Sequence, residues 1–228
     1  MNQNIVKEMF EAAVHIGHRT RKWDPRMKKF IHGEKSGIHI INLEKTAEYL
    51  EKALNFLAKS AAEGKVILFV STKPQSIKLV EDAARDCHAP YVVAKWIPGL
   101  ITNFATLKGR IRYLADLKNQ ETTGEFDKYT KKEASKLKKV IEKLQVSLGG
   151  VQNLNAKPDV VFVLDVLRDK IVVKEARRSH IPVVGIVDTN ADPTSVDYPI
   201  PGNDDALKSL TYFINVVKEV IKTAKAKK

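Results

Sequence analysis

Hydrophobic residues recur along this chain in two distinct periods. Four short apolar runs rich in β-branched residues, at 65–71, 90–94, 159–165 and 182–188, have the length and continuity of parallel strands buried on both faces. A weaker fifth run, 196–200, contains Pro199, which confines it to an edge or a strand end. Between the runs the spacing changes to three and four. Leu43, Ala47, Leu50, Leu54, Leu57 and Ala61 form one stripe of a long helix, and Ile77, Val80, Ala84 and Cys87 form a second. Residues 170–179 make a third helix that stops before Pro182. Leu207, Leu210, Ile214, Val217 and Ile221 make the last, with Asn203, Asp204 and Asp205 as its cap and acidic first turn. Strands alternating with helices predict an α/β fold with a parallel sheet.

Residues 95–158 are too many for a single crossover between the second and third strands. Phe104, Leu107, Ile111 and Leu114 form one seam, and Leu137, Ile141, Leu144 and Leu148 form another, both with coiled-coil spacing. Gly124 lies between them, and Thr130 with Glu133 makes a capping box at the second start. These features predict an inserted antiparallel helical hairpin. Its lysines (Lys131, Lys132, Lys136, Lys138, Lys139, Lys143) read as a solvated face. The expected organisation is an N-terminal helix and basic extension (1–41), an α/β domain (42–102 and 151–223), the hairpin (103–150) and a basic tail (224–228).

Charge adds a partner class. Thirty-nine Lys and Arg against 27 Asp and Glu leave a net +12, which favours polyanions, either nucleic acid or an anionic membrane. No run approaches the ~18 apolar residues needed to span a bilayer. The first eight residues lack the pattern of a signal or transit peptide. Cys87 is the only cysteine, so neither an intrachain disulfide nor a multi-cysteine zinc site is available, and it reads as core. A soluble, reducing, cytoplasmic setting is expected.

Signals for catalysis are weak. The loop 71–74 suits a phosphate but has no glycine, and neither a dinucleotide fingerprint nor a phosphate-binding loop occurs; Gly33 and Gly37 have the wrong spacing. Asp165, Asp169 and Asp188 end strands or start turns and read as caps and turn formers in preference to magnesium ligands or bases. His15 and His18 are three apart, but Gly17 intervenes and only His32 and His39 lie nearby, so a four-ligand zinc site lacks partners. The expectation is no enzyme, no cofactor and no metal. The strongest cluster is basic: Arg19, Arg21, Lys22, Arg26, Lys28, Lys29 and Lys35, interleaved with Trp23 and opposed only by Asp24 and Glu34. Arginine forks match phosphate and stack on bases, and tryptophan offers an aromatic platform. With little apolar periodicity before Ile38, this segment is expected on the surface. A second patch combines Lys95 and Trp96 with Lys108, Arg110 and Arg112, and Lys73 in the phosphate-suited loop is a further candidate. Trp23 and Trp96 fit either base stacking or packing at a junction. The mode implied is shape and backbone recognition of folded RNA.

The run Val14-His-Ile-Gly-His-Arg-Thr-Arg-Lys-Trp-Asp-Pro-Arg-Met27, followed by 37–46, 96–103, Ser147-Leu-Gly-Gly-Val151, 157–159, 185–193 and 200–205, resembles the bacterial-type small-subunit ribosomal protein S-two family, in collinear blocks from about residue 5 to 222. The resemblance implies a flavodoxin-like parallel sheet with helices on both faces and the inserted hairpin. It implies a structural role in the small subunit and contact with its ribosomal RNA. It also implies contact with neighbouring ribosomal proteins, among them the large OB-repeat protein that captures messenger RNA. The implied RNA grip is the block from His15 and His18 to Lys29, with Trp96, Thr102, Asn103 and the basic hairpin base. No membrane partner and no homo-oligomer are expected. Pro98 replaces a usual glycine, and 165–169 lacks a histidine often found there, which weakens any ligand role for that loop. The competing reading is a nucleotide- or flavin-dependent enzyme on the same fold.

Overall fold

The computed structural model describes residues 3–226. In chain order its first half runs α1 (Gln3–Glu11), β1 (Ile16–Arg19), β2 (Ile31–Lys35), β3 (Ile38–Ile41), α2 (Leu43–Ala62), β4 (Ile67–Val70), α3 (Ile77–Asp86) and β5 (Tyr91–Val92). The second half runs α4 (Phe104–Thr122), α5 (Lys131–Leu148), β6 (Val160–Val163), α6 (Lys170–Arg178), β7 (Val183–Val187), β8 (Tyr198–Pro201) and α7 (Leu207–Ala226).

The five apolar runs become one parallel sheet in the order β5-β4-β6-β7-β8, the flavodoxin-like arrangement, with proline-bearing β8 at the edge as expected. Every residue of β4, β6 and β7 is buried, because helices cover both faces. Alternation along each strand divides the core in two. Leu68, Val70, Val161 and Val163 meet α6 and the base of the hairpin; Phe69, Val160, Phe162 and Ile186 meet α2, α3 and α7. Cys87 lies in the second core, buried at the end of α3.

The hairpin forms from α4 and α5, which bury Ile111, Leu114 and Leu117 against Ile141 and Leu148. Gly124 turns the chain at φ +75°, a left-handed conformation that suits glycine. Thr130 and Glu133 exchange both bonds of the capping box.

Two expectations need correction. The segment 15–41 lies largely on the surface as expected, but it is ordered and partly anchored in the core: β1, β2 and β3 form a small antiparallel sheet in the order β1-β3-β2. Between β1 and β2, the 3-10 helix Pro25–Phe30 drives Met27 and Phe30 fully into the core. The tighter helix eclipses residues three apart, so two apolar residues suffice for a buried face and leave no longer period to detect. The last helix begins at Leu207 with no acid in its first turn. Asn203 instead accepts from the amides of Asp205 (2.8 Å) and Ala206 (3.0 Å), a turn ahead of the helix that frees both aspartates for another task. Of the expected basic tail, residues 224–226 finish α7, whereas Lys227 and Lys228 lie outside the described residues.

Candidate functional site

In open α/β sheets, ligands meet the loops at the carboxyl ends of the strands. Here those loops close on themselves. Lys73, following β4, places Nζ 2.9 Å from Asp165 Oδ2 after β6, and 2.9 Å and 2.8 Å from Asp204 Oδ1 and Asp205 Oδ1 after β8. The lysine is 7% exposed, and Asp165, Asp188 and Asp204 are also buried. From the small sheet, His18 places Nδ1 3.2 Å from Asp188 Oδ2 and Nε2 3.3 Å from Asp205 Oδ2. Its backbone N–H donates to Thr189 Oγ1 at 2.8 Å. Gly17 permits that approach, since a Cβ there would lie 2.6 Å from Thr189 Cγ2.

Burial alone would lower the Lys73 pKa, but the charge of Asp204 and the hydrogen bonds that the ammonium donates to Asp205, Asp204 and Asp165 outweigh it and hold the ammonium charged. Burial, with Asp165 and Asp188 close by, pushes Asp204 up to about 7 against the pull of Lys73. Asp205 is exposed; partial burial of its carboxyl opposes ionisation, but Lys73 and His18 keep its pKa low. The Asp188 carboxylate, 3.2 Å from Nδ1, raises the pKa of His18 against its partial burial. The crevice is therefore lined with carboxylates, and its single lysine is already committed. It repels phosphate. Among the described residues, no group of three or more His, Cys, Asp or Glu is arranged to hold a metal ion.

A second buried polar knot fixes the base of the hairpin. Glu175 on α6 accepts from Trp96 Nε1 (3.0 Å) and the Gly99 amide (2.7 Å) through Oε1. Through Oε2 it accepts from the amides of Ile101 (3.2 Å) and Thr102 (3.3 Å) and from Thr102 Oγ1 (3.2 Å). Burial would raise the carboxyl pKa, but these donors pull it below its ordinary value. The turn 96–102 has no strand or helix partner for its amides, so one carboxylate satisfies them and aims the chain into α4.

The candidate residues divide accordingly. Lys73 and Trp96 (6% exposed) face inward, so neither a phosphate contact nor a base stack is open to them. For Trp96 the junction-packing reading is the one the geometry supports. His15 stacks on Phe10 with ring centroids 4.4 Å apart, and His18 bridges aspartates. Arg26 reaches Asp24 and Asp192, latching the 3-10 helix to the loop after β7. Lys108 donates to the Asn155 carbonyl at 2.8 Å, and Asn103 Oδ1 accepts from Thr106 at the head of α4. Thr102 is exposed at its edge while its hydroxyl serves Glu175. Arg19, Arg21, Lys22, Lys28, Lys29, Lys95, Arg110 and Arg112 are exposed. Trp23 leans on His39 at 5.2 Å and keeps 36% of its surface open. Asp165 behaves as the turn former expected, accepting from the Arg168 amide at 2.7 Å, and Asp188 holds Thr189. Asp169 does not cap α6; it accepts from the Thr72 amide (3.1 Å) and hydroxyl (2.8 Å). Glu175 is not among the sequence candidates, and Asp204 and Asp205, expected as a helix cap, serve Lys73 and His18 instead. The one available hint was Glu175 as the sole acid of an otherwise basic helix, adjoining its apolar stripe.

Comparison with known proteins gives a consistent result. A family model described as Ribosomal protein S2 matches residues 9–224. The small ribosomal subunit protein uS2 of Campylobacter hominis is 48% identical over 221 residues, covering 97% of this chain and 83% of that protein. The protein of the same name from Helicobacter hepaticus is 47% identical over 216 residues, covering 95% and 82%.

Glu175→Ala leaves buried amides and an indole N–H without an acceptor. It is expected to cost at least about 3 kcal/mol in urea unfolding, with faster hydrogen exchange at Gly99, Ile101 and Thr102 than at β6. Unchanged exchange at those amides contradicts the assignment. The pH dependence has a defined sign. With its folded pKa above 6.5, His18 contributes stability that is complete below 6.5 and lost as pH rises through the folded value. Asp204, raised from 3.8 to about 7, acts in the same direction between those values. Melting temperature should therefore fall between pH 6 and 8.5, and fall less in His18→Gln; a rise across that window contradicts the linkage.

Proposed function

The chain belongs to the ribosomal protein S2 family, and from that premise we propose that it joins the small ribosomal subunit by gripping ribosomal RNA with the outer rim of its N-terminal sheet. It is a ribosomal protein of the small subunit and not an enzyme. The observation that carries the RNA reading is the state of the charges on that rim. Arg19, Arg21, Lys22, Lys28 and Lys29 are exposed and form no ion pair among the described residues, although their neighbour Arg26 does. Folding has left them their full charge for phosphate. Trp23 stands among them with 36% of its surface open, enough to offer an aromatic contact to an unpaired base. Lys95, Arg110 and Arg112 at the hairpin base form a second contact of the same kind.

Binding proceeds through backbone charge and shape, since no groove-reading helix or sheet motif is present in the sequence. The hairpin (103–150) acts as a projecting coiled-coil arm, and the exposed surface left over contacts neighbouring small-subunit proteins, including the large OB-repeat protein. Among the described residues no helix is long and apolar enough to cross a membrane.

The test is equilibrium binding of the full chain to small-subunit ribosomal RNA across a salt series. Combined Arg19→Ala, Arg21→Ala and Lys22→Ala should weaken binding and lower the magnitude of the log–log salt slope by about 2–3, close to 0.7–0.9 per lost phosphate contact. A slope insensitive to the triple change overturns this reading.

A further inference from the structure

The outer face of α2 and α7 carries a groove that neither the core nor the basic rim accounts for. Beside its buried stripe, α2 has a second apolar ladder, including Ala47, Leu54 and Ala58, and α7 offers Tyr212, Val216 and Val220 four residues apart. These side chains are only half-buried, and between them runs a groove of about 1050 Å³ that continues to Ala62. From Ala47 to Ala62 its length is about 22 Å at 1.5 Å per residue. Two helices side by side with small residues along the seam leave a trough that fits the ridge of a third helix.

Charge selects the occupant. On a chain of net +12, the acids lining this groove are Glu8, Glu48, Glu51 and Glu219, against Lys59 alone. Glu48 is neutralised by Lys52 at 2.6 Å, whereas Glu8, Glu51 and Glu219 form no ion pair among the described residues. Glutamates repel RNA phosphate, so this face is not an extension of the basic rim. No cluster of convergent polar groups marks it for a small ligand. We propose that the groove docks a basic amphipathic helix of a partner protein, about 15 residues long, with its apolar ridge on Leu54 and Val216 and its lysines or arginines on Glu8, Glu51 and Glu219. The site is independent of the RNA reading: it lies on other elements and requires the opposite charge.

The probe is a fluorescein-labelled synthetic helix with leucine at three-four spacing and lysine elsewhere, compared with a counterpart bearing glutamate in place of lysine. Both are titrated with the full chain by anisotropy near physiological salt. The lysine peptide should bind saturably and the glutamate peptide should not. Ala58→Trp, which fills the groove, and the pair Glu51→Lys with Glu219→Lys should each weaken binding by about tenfold or more, without change in melting temperature. Equal binding of both peptides, binding of neither, or lysine-peptide binding that survives both variants overturns the proposal. So does sedimentation showing that the chain self-associates and that Ala58→Trp disperses it, which would assign the groove to a second copy.

Discussion

One ammonium group ties the architecture together. Lys73 leaves the end of β4 and meets carboxylates from the ends of β6 and β8, and Asp205 and Asp188 pass the connection on to His18 of the N-terminal sheet. Without it, Asp165 and Asp204 would face one another in a low-dielectric crevice, a loss on the order of 3–5 kcal/mol for a buried charge left unpaired. The same group decides what the fold does not do. A parallel sheet of this order offers a ligand crevice at its carboxyl ends, and here that crevice is filled by the protein's own ion pairs. The small sheet lies over it, held through Gly17 against Thr189 and by Arg26 to Asp192.

Basic residues therefore fall into two populations. Lys73 and Arg26 are consumed in the structure, and their charge never reaches a partner. Arg19, Arg21, Lys22, Lys28 and Lys29, at the end of β1, in the turn after it and on the 3-10 helix, are exposed and form no ion pair among the described residues. The internal pairs hold that sheet in place, and the sheet presents the external charges. Glu175 does the equivalent for the second patch: by binding the turn that leads into α4, it sets the direction in which Arg110 and Arg112 are carried. The proposed RNA surface lies outside the fold's usual crevice, and polar contacts inside that crevice support the elements that carry it.

The α/β body and the hairpin were legible because each is written in a local period. Unbroken Val, Ile and Phe runs mark β4, β6 and β7, three-four seams mark α4 and α5, and a four-residue box marks the start of α5. The polar knots were not legible, because their partners are far apart along the chain. Lys73 and Asp204 are separated by 131 positions, and Trp96 and Glu175 by 79. Asp204 and Asp205 also fit a helix cap equally well in sequence, and only the fold shows that Asn203 makes the turn and releases them. Trp23 and Trp96 looked alike as aromatics among basic residues. They separate only in three dimensions, one with its indole N–H sealed onto a buried carboxylate and the other left partly open.

That contrast offers the most direct test of the account. Ultraviolet cross-linking of purified small subunits carrying this chain, with the attached nucleotides mapped by mass spectrometry, reads which side chains touch RNA. Cross-links should fall in the segment 19–29, with Trp23 among them, and be absent from Trp96 and Lys73. Cross-links concentrated at Trp96 or Lys73, with none between Arg19 and Lys29, would contradict it.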